Sequence, residues 1–294
     1  MSAKYLIIDD SHAGQRIDNF LIGFLKGVPH SRVYKALRKG EVRVNKGRVQ
    51  ALYRLALHDS VRIPPLRVAE RDIAKPSARL RSCIDEAILF EDDNLIVINK
   101  PSGLAVHAGS DVQCGLIEAL REMRHDTHLS LAHRLDRDTS GCLLITKNRK
   151  TLLELQALQK NHLIQKTYAL LVEGTWNLGK KKHVTLSLLK NQLKSGERMV
   201  VVDDAGKPAE TIFEPMKIFQ KTTLLRAQLI TGRTHQIRVH ASALGFPIVG
   251  DEKYGTKSRE KRLFLHAQRL VFTLSGKKPC VFEAPIPDEF TQNR

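Results

Sequence analysis

Apolar positions recur at helical spacing near the front of the chain. Ile17, Phe20, Leu21, Phe24 and Leu25 place one stripe on a helix over 15–26. Pro29 and Ser31 mark a new start, with Ser31 as N-cap of a second helix over 31–38 that ends at Gly40. Val42 and Val44 then alternate with polar residues, and Asn45-Lys46-Gly47 forms a turn. A strand over Val61 to Ile63 stops at Pro64-Pro65. Pro76 and crowded charges of both signs predict a linker over 66–86.

From residue 87 the pattern changes. Leu95-Ile96-Val97-Ile98 is a continuous apolar run that breaks at Lys100-Pro101-Ser102-Gly103, and Leu143 to Thr146 is a second buried-strand pattern. Leu152, Leu153, Leu155 and Leu158 predict a helix over 149–160. Thr167 to Val172 reads as a strand. Residues 199–230 hold two or three more, with Ala205-Gly206-Lys207 as a turn. Thr234 is placed to cap a helix over 235–244 closed by Gly245. Strand pieces near 263–266, 269–274 and 280–284 complete the pattern. Strands outnumber helices and do not alternate strictly with them. The expected class is α+β: a mixed, largely antiparallel sheet domain over 87–294, preceded by a small domain of helices and a β-hairpin over 1–65.

Charge sharpens this division. The 294 residues carry 48 Lys or Arg against 31 Asp or Glu, a net +17. Such an excess favours polyanions, nucleic acid ahead of an anionic membrane surface. No apolar run approaches the roughly 20 residues of a spanning helix. Met1 to Asp10 lack the plan of a signal peptide, so a cytoplasmic protein is expected. Cys83, Cys114, Cys142 and Cys280 show no C-x-x-C spacing, and His235 and His240 lie five apart, so no metal is expected. Residues 1–80 hold 16 of the basic residues against 7 acids. Between 31 and 48, Arg32, Lys35, Arg38, Lys39, Arg43, Lys46 and Arg48 meet one acid, Glu41. A surface built only for solubility mixes signs more. These seven are the expected nucleic-acid contacts.

The candidate chemistry lies in His133-Arg134-Leu135-Asp136-Arg137-Asp138-Thr139-Ser140-Gly141. One carboxylate, Asp136, stands ahead of a small-residue turn and the apolar run Cys142 to Ile145. An acid held by a tight turn at the mouth of a buried strand suits a reactive group. The same pattern also fits a surface ion pair of Asp136 with Arg134 or Arg137. Asp138, Thr139 and Ser140 read as turn and capping residues. A retaining glycoside hydrolase needs a second carboxylate at a set distance, and no second acid stands out.

His133 to Gly141 resembles, at every fixed position, the H-R-L-D-x-x-T-S-G signature of the RluA-type pseudouridine synthases. Lys100-Pro101-Ser102-Gly103 with Val106-His107, Lys166-Thr167-Tyr168-Ala169-Leu170, and Gly232 to His240 resemble further family blocks in the same order. Gly250-Asp251, Tyr254-Gly255 and Leu265-His266-Ala267 follow. The resemblance covers about 87–285. Residues 14–63 resemble the alpha-L RNA-binding module of ribosomal small-subunit protein four, with His58 standing where the module has glycine.

The resemblance implies a pseudouridine synthase fold. It implies isomerisation of uridines in 23S ribosomal RNA, before or during large-subunit assembly and without a cofactor; a monomer is the default expectation. It assigns Asp136 as the catalytic carboxylate and Arg233 as the cation beside it. Tyr168 would stack on the uracil, and Arg134 would fill the gap left by a flipped base. A tRNA substrate, or a non-catalytic assembly factor of the same fold, stays open.

Overall fold

A computed structural model describes residues 3–25, 28–66, 75–109, 112, 114–192, 198–256, 260 and 262–292. Two compact units divide the chain, Met1–Ala74 and Lys75–Arg294.

The first unit runs β1 (Lys4–Ile7), α1 (Ile17–Phe24), α2 (His30–Arg38), β2 (Arg43–Val44), β3 (Gly47–Arg48) and β4 (Ser60–Ile63). Its strands pair antiparallel in the order β1-β4-β2-β3. The predicted stripe is buried except for Phe24, which is exposed: Ile17, Phe20, Leu21 and Leu25 pack with Val33, Leu37, Val44 and Val61. Asn45 and Lys46 both take positive φ, 49° and 69°. This is the two-residue hairpin geometry that matches the strand twist. His58 also has a positive φ, 68°, so this histidine adopts the left-handed conformation that a glycine supplies more cheaply. Helix α2 starts one residue before Ser31. Pro29, with extended backbone, is its N-cap and no side chain caps it.

The second unit runs α3 (Ala78–Glu86), β5 (Ile88–Glu91), β6 (Leu95–Lys100), α4 (Leu116–Met123), β7 (Ser130–Leu131), β8 (Ser140–Thr146), α5 (Arg149–Lys160), β9 (Gln165–Glu173), β10 (Lys182–Gln192), β11 (Arg198–Val202), β12 (Lys207–Ile218), β13 (Thr222–Leu229), α6 (Gln236–Ala243), β14 (Leu265–Phe272) and β15 (Cys280–Glu283). Among the described residues, one sheet takes the order β11-β10-β12-β13-β9-β14-β8-β6-β5, with β15 on β14 and β7 on β8. Every pair is antiparallel except β14 with β8. The class is α+β with a mixed, largely antiparallel sheet.

The continuous apolar runs become strands buried on both faces. On β6 and β8, Ile96, Ile98, Leu143 and Ile145 meet α3 and α4 through Ile84, Leu116, Ile117 and Leu120. Leu95, Val97, Cys142 and Leu144 face the other way, toward Leu155 of α5. The expected linker over 66–86 is corrected in part. Residues 67–74 lie outside those described, but Ser77 caps α3, and its Ile84 is fully buried. One apolar residue per turn suffices here because the charges of α3 face solvent. The expected pieces at 263–266 and 269–274 are one strand with an irregularity between Ala267 and Arg269.

Candidate active site

Asp136 lies in the segment that leads into β8. Leu135 before it is buried in the core, whereas Arg134 and Arg137 are exposed. Arg137 pairs with Asp138 at 3.4 Å, and among the described residues the ion pairs of Asp136 are with groups elsewhere in the chain. His133 anchors the start of the segment: its Nε2 accepts the Leu144 N–H at 3.1 Å. Burial, with the Lys166 charge beside it, pushes this ring down to about 3, which keeps the accepting nitrogen unprotonated.

The turn after β6 braces the backbone that follows Asp136. Lys100 is fully buried, and its Nζ donates to the carbonyls of Pro101, Leu104 and Arg137 at 2.8, 2.9 and 2.8 Å. Gly103 N–H also donates to the Arg137 carbonyl, at 3.0 Å. Ser102 Oγ donates to the Asp138 carbonyl at 2.7 Å. Burial pushes the Lys100 pKa down to about 7, against the pull of Asp138 and Asp136. Three acceptors around three N–H protons favour the ammonium form.

Strand register places Tyr168 on the same floor. Ala227, Tyr168, Ala267, Gly141 and Lys100 form one row across β13, β9, β14, β8 and β6. Residues in one row project to one face. Gly141 must be a glycine: its φ is +108°, and an added Cβ would lie 2.3 Å from the Ala267 carbonyl oxygen. Tyr168 is buried. Burial first, then the charges of Asp136 and Cys142, hold its phenol above the usual tyrosine range.

The first turn of α6 faces the Asp136 carboxylate. His235 Nε2 lies 3.6 Å from Asp136 Oδ2, and Arg238 Nη1 lies 3.8 Å from the same oxygen. Both contacts fall on Oδ2, and the Asp136 side chain keeps 25 % of its surface exposed. Arg238 is itself held from behind. Asp251, fully buried, accepts from Arg238 Nε and Nη2 at 2.8 and 2.7 Å. Burial raises the Asp251 pKa, but these bonds and the backbone N–H groups of Lys253 and Tyr254 bring it below the usual carboxylate value. A guanidinium locked to one acid while facing a second is a preorganised positive charge.

The expected cation, Arg233, is corrected here. It is exposed, and its Nε donates to the Pro208 carbonyl at 3.1 Å. Arg233 belongs to the turn before α6, which Gln236 ties down. The Gln236 Oε1 accepts from Arg233 N–H and Thr231 Oγ, while Nε2 donates to the Glu210 carbonyl and Thr211 Oγ. Thr234 does not cap the helix. His235 is the N-cap, in a left-handed conformation with φ 53°. The missed signal was spacing: His235 and Arg238 are three apart and share a helix face, whereas Arg233 precedes the helix.

In the first unit, Lys35, Arg38, Lys39, Arg43, Lys46 and Arg48 are exposed. Arg32 is half-buried and pairs with Glu41 at 2.8 Å. Strand register adds Arg62, since Arg48, Arg43, Arg62 and Tyr5 form one row across β3, β2, β4 and β1. Three arginines directly opposite one another repel. That cost suits a face that meets an anion.

A protein family described as RNA pseudouridylate synthase matches residues 94–243. Ribosomal large subunit pseudouridine synthase C of Pasteurella multocida (strain Pm70) is 50% identical over 282 residues, 92% of this chain and 86% of that protein. The protein of the same name from Escherichia coli (strain K12) is 47% identical over 301 residues, 98% of this chain and 94% of that one. Among solved structures, human RNA pseudouridylate synthase domain containing 4 has a TM-score of 0.58 and 25% identity, covering 72% of this chain and 93% of that one. Human RNA pseudouridylate synthase domain containing 1 has a TM-score of 0.60 at 23% identity, over 72% and 86% of the two chains, which speaks to the fold alone.

Proposed function

Because the chain belongs to the RNA pseudouridylate synthase family, we propose that it isomerises uridines of 23S ribosomal RNA to pseudouridine, with Asp136 as the reacting carboxylate. The observation that carries this reading is the setting of Asp136. A partly exposed acid has one oxygen against two basic side chains, and Tyr168 lies on the sheet floor beside it.

The reaction breaks the bond from uracil nitrogen to ribose, turns the base, and rejoins it through carbon 5. Asp136 attacks, or stabilises the sugar after cleavage, and Arg238 takes the electrostatic role first given to Arg233. Tyr168 stacks on the uracil. Its raised pKa keeps the phenol protonated, so the hydroxyl relays a proton at carbon 5 rather than acting as a ready-made phenolate. Arg134, exposed beside Asp136, fills the gap left by the flipped base.

The first unit serves as an alpha-L RNA-binding module, docking helical RNA phosphates through its basic face. The names of the relatives support a large-subunit ribosomal RNA substrate. The protein acts as a cytoplasmic monomer without a cofactor, before or during subunit assembly. Among the described residues no helix is long and apolar enough to cross a membrane.

The test is Asp136→Asn on 23S rRNA transcripts tritiated at uracil carbon 5. Tritium release is expected to vanish while RNA affinity stays within about threefold. Substantial turnover by that variant would remove Asp136 from the chemistry. Release of free uracil by the unaltered protein would point to a hydrolase. Mapping rRNA pseudouridines in a strain lacking the gene identifies the sites.

A further inference from the structure

We propose that His235 is a positioning residue for Asp136: a neutral imidazole, set by Tyr254, that presents an Nε2–H to Asp136 Oδ2 and leaves Oδ1 facing the substrate. This rests on the reading of Asp136 as the reacting carboxylate.

The tautomer follows from the donors around the ring. The Val200 N–H of β11 donates to Tyr254 Oη at 2.9 Å. The same hydroxyl lies 2.7 Å from His235 Nδ1. A backbone amide can only donate, so Tyr254 Oη accepts there; its own O–H needs an acceptor, and Nδ1 at 2.7 Å offers one. Nδ1 is then the acceptor, and the single proton of the neutral ring rests on Nε2. The opposite tautomer would aim a lone pair at a carboxylate oxygen 3.6 Å away. Burial, reinforced by the charges of Arg238 and Lys253, depresses the His235 pKa against the attraction of Asp136 and Asp251. A neutral ring is the result, consistent with this chain of donors.

The backbone at His235 also points to a role beyond helix building. This N-cap has φ 53° and ψ 17°, yet its side chain makes no capping bond. A left-handed conformation is strained for a residue that carries a Cβ. Serine or aspartate at an ordinary N-cap would avoid that strain and satisfy a helix N–H. Here the side chain turns to Tyr254 and Asp136. Tyr254 is itself anchored: its N–H donates to Asp251 Oδ1 at 3.1 Å, and its carbonyl accepts from Ser242 Oγ at 2.8 Å. Its ring lies 5.1 Å under the Arg238 guanidinium and meets the His235 ring edge-on at 5.5 Å. Tyr254 therefore fixes both basic groups that face Asp136.

Three variants of the full chain test this, each followed by single-turnover tritium release from 23S rRNA transcripts labelled at uracil carbon 5, with RNA affinity measured separately. His235→Asn tolerates the left-handed backbone and can still meet Tyr254, but nothing in it reaches Asp136. Its rate is expected to fall about 30-fold with RNA affinity within about threefold. His235→Gln places an amide N–H near the Nε2 position and is expected to recover about tenfold of that loss. Tyr254→Phe is expected to slow the reaction by about five- to tenfold, with no further loss when combined with His235→Asn, because Tyr254 acts through the ring.

A wild-type rate for His235→Asn, equal impairment of the Asn and Gln variants, a loss confined to RNA affinity, or full additivity with Tyr254→Phe would each overturn the proposal. Should His235→Asn fail to fold, a wild-type rate for Tyr254→Phe would overturn it and a selective rate loss would support it. Asp136→Asn separates the two ideas. If that variant retains turnover, the reading of Asp136 falls. If it is inert while His235→Asn works normally, only the role of His235 falls.

Discussion

Arg238 Nη1 lies 3.8 Å from Asp136 Oδ2, while the Nε and Nη2 of the same guanidinium are clasped by Asp251 at 2.8 and 2.7 Å. The buried pair aims one remaining edge of the guanidinium at the candidate carboxylate. Geometry of this kind is lost when the fork is replaced by a point charge.

Asp251→Asn should therefore leave a buried, poorly compensated cation and lower stability by about 3–5 kcal/mol in urea unfolding. Arg238→Lys keeps the charge but not the fork. Its expected effect is a rate loss of about 100-fold or more in tritium release, with RNA affinity little changed. Wild-type turnover by Arg238→Lys would mean that orientation of this charge does not matter.

Gly141 is where β8 meets β14 in the parallel pair. Gly141→Ala places a methyl group 2.3 Å from the Ala267 carbonyl oxygen at a φ of +108°. The atoms it meets are Ala267 backbone, which has little room to yield, so a loss of about 4 kcal/mol or failure to fold is expected. Gly103 also has positive φ but open space around it, so Gly103→Ala should cost only about 1 kcal/mol. Equal unfolding midpoints for the two variants would contradict the close approach.

Three histidines make stability sensitive to acid. Burial pushes His133 down to about 3 and His240 and His266 to about 4, from an ordinary 6.5. Below pH 6.5 the unfolded chain takes up these protons and the folded chain does not. Stability is therefore intact above pH 6.5 and is lost as pH falls toward 4, by up to about 4 kcal/mol per pH unit if all three act together. His240→Met fills its site with a side chain that takes no proton, and should lower that slope by about a third. Urea midpoints at closely spaced pH values measure both slopes.

The row Arg48, Arg43, Arg62 is expected to meet RNA phosphates. Replacing all three with Gln should weaken RNA binding and reduce the slope of log affinity against log salt by about 2 to 3. An unchanged slope would move the contact to the exposed cations of α2.

The sequence was most legible where neighbours along the chain decide the outcome. Ile17, Phe20 and Leu21 are the buried side of α1, with Leu25 buried just past its end and only Phe24 of the stripe exposed, and Asn45-Lys46 makes the hairpin turn expected of it. The apolar runs at 95–98 and 143–146 became the doubly buried strands β6 and β8. Each of these outcomes follows from local periodicity and turn chemistry. Strand β10 and helices α3 and α4 were not anticipated. Helix α3 offers little pattern of its own, whereas Leu116, Ile117, Ala119 and Leu120 of α4 and the alternating Val184, Leu186 and Leu188 of β10 are periodic signals that were passed over.

The same division runs through the site. The residues by themselves singled out Asp136, a turn at Lys100 to Gly103 and the basic front module, and the family resemblance added Tyr168. Arg233 was taken as the cation from the family resemblance, and Arg238 was not weighed. Both belong to one short motif, and the choice depends on where the turn ends and α6 begins. That boundary is set by the left-handed backbone of His235 and by Gln236 reaching the carbonyl of Glu210. Only tertiary structure brings the first turn of α6 to the segment before β8, and Asp251 to the far side of Arg238. Residues over a hundred positions apart meet there because strand register and buried hydrogen bonds leave one arrangement that satisfies them all.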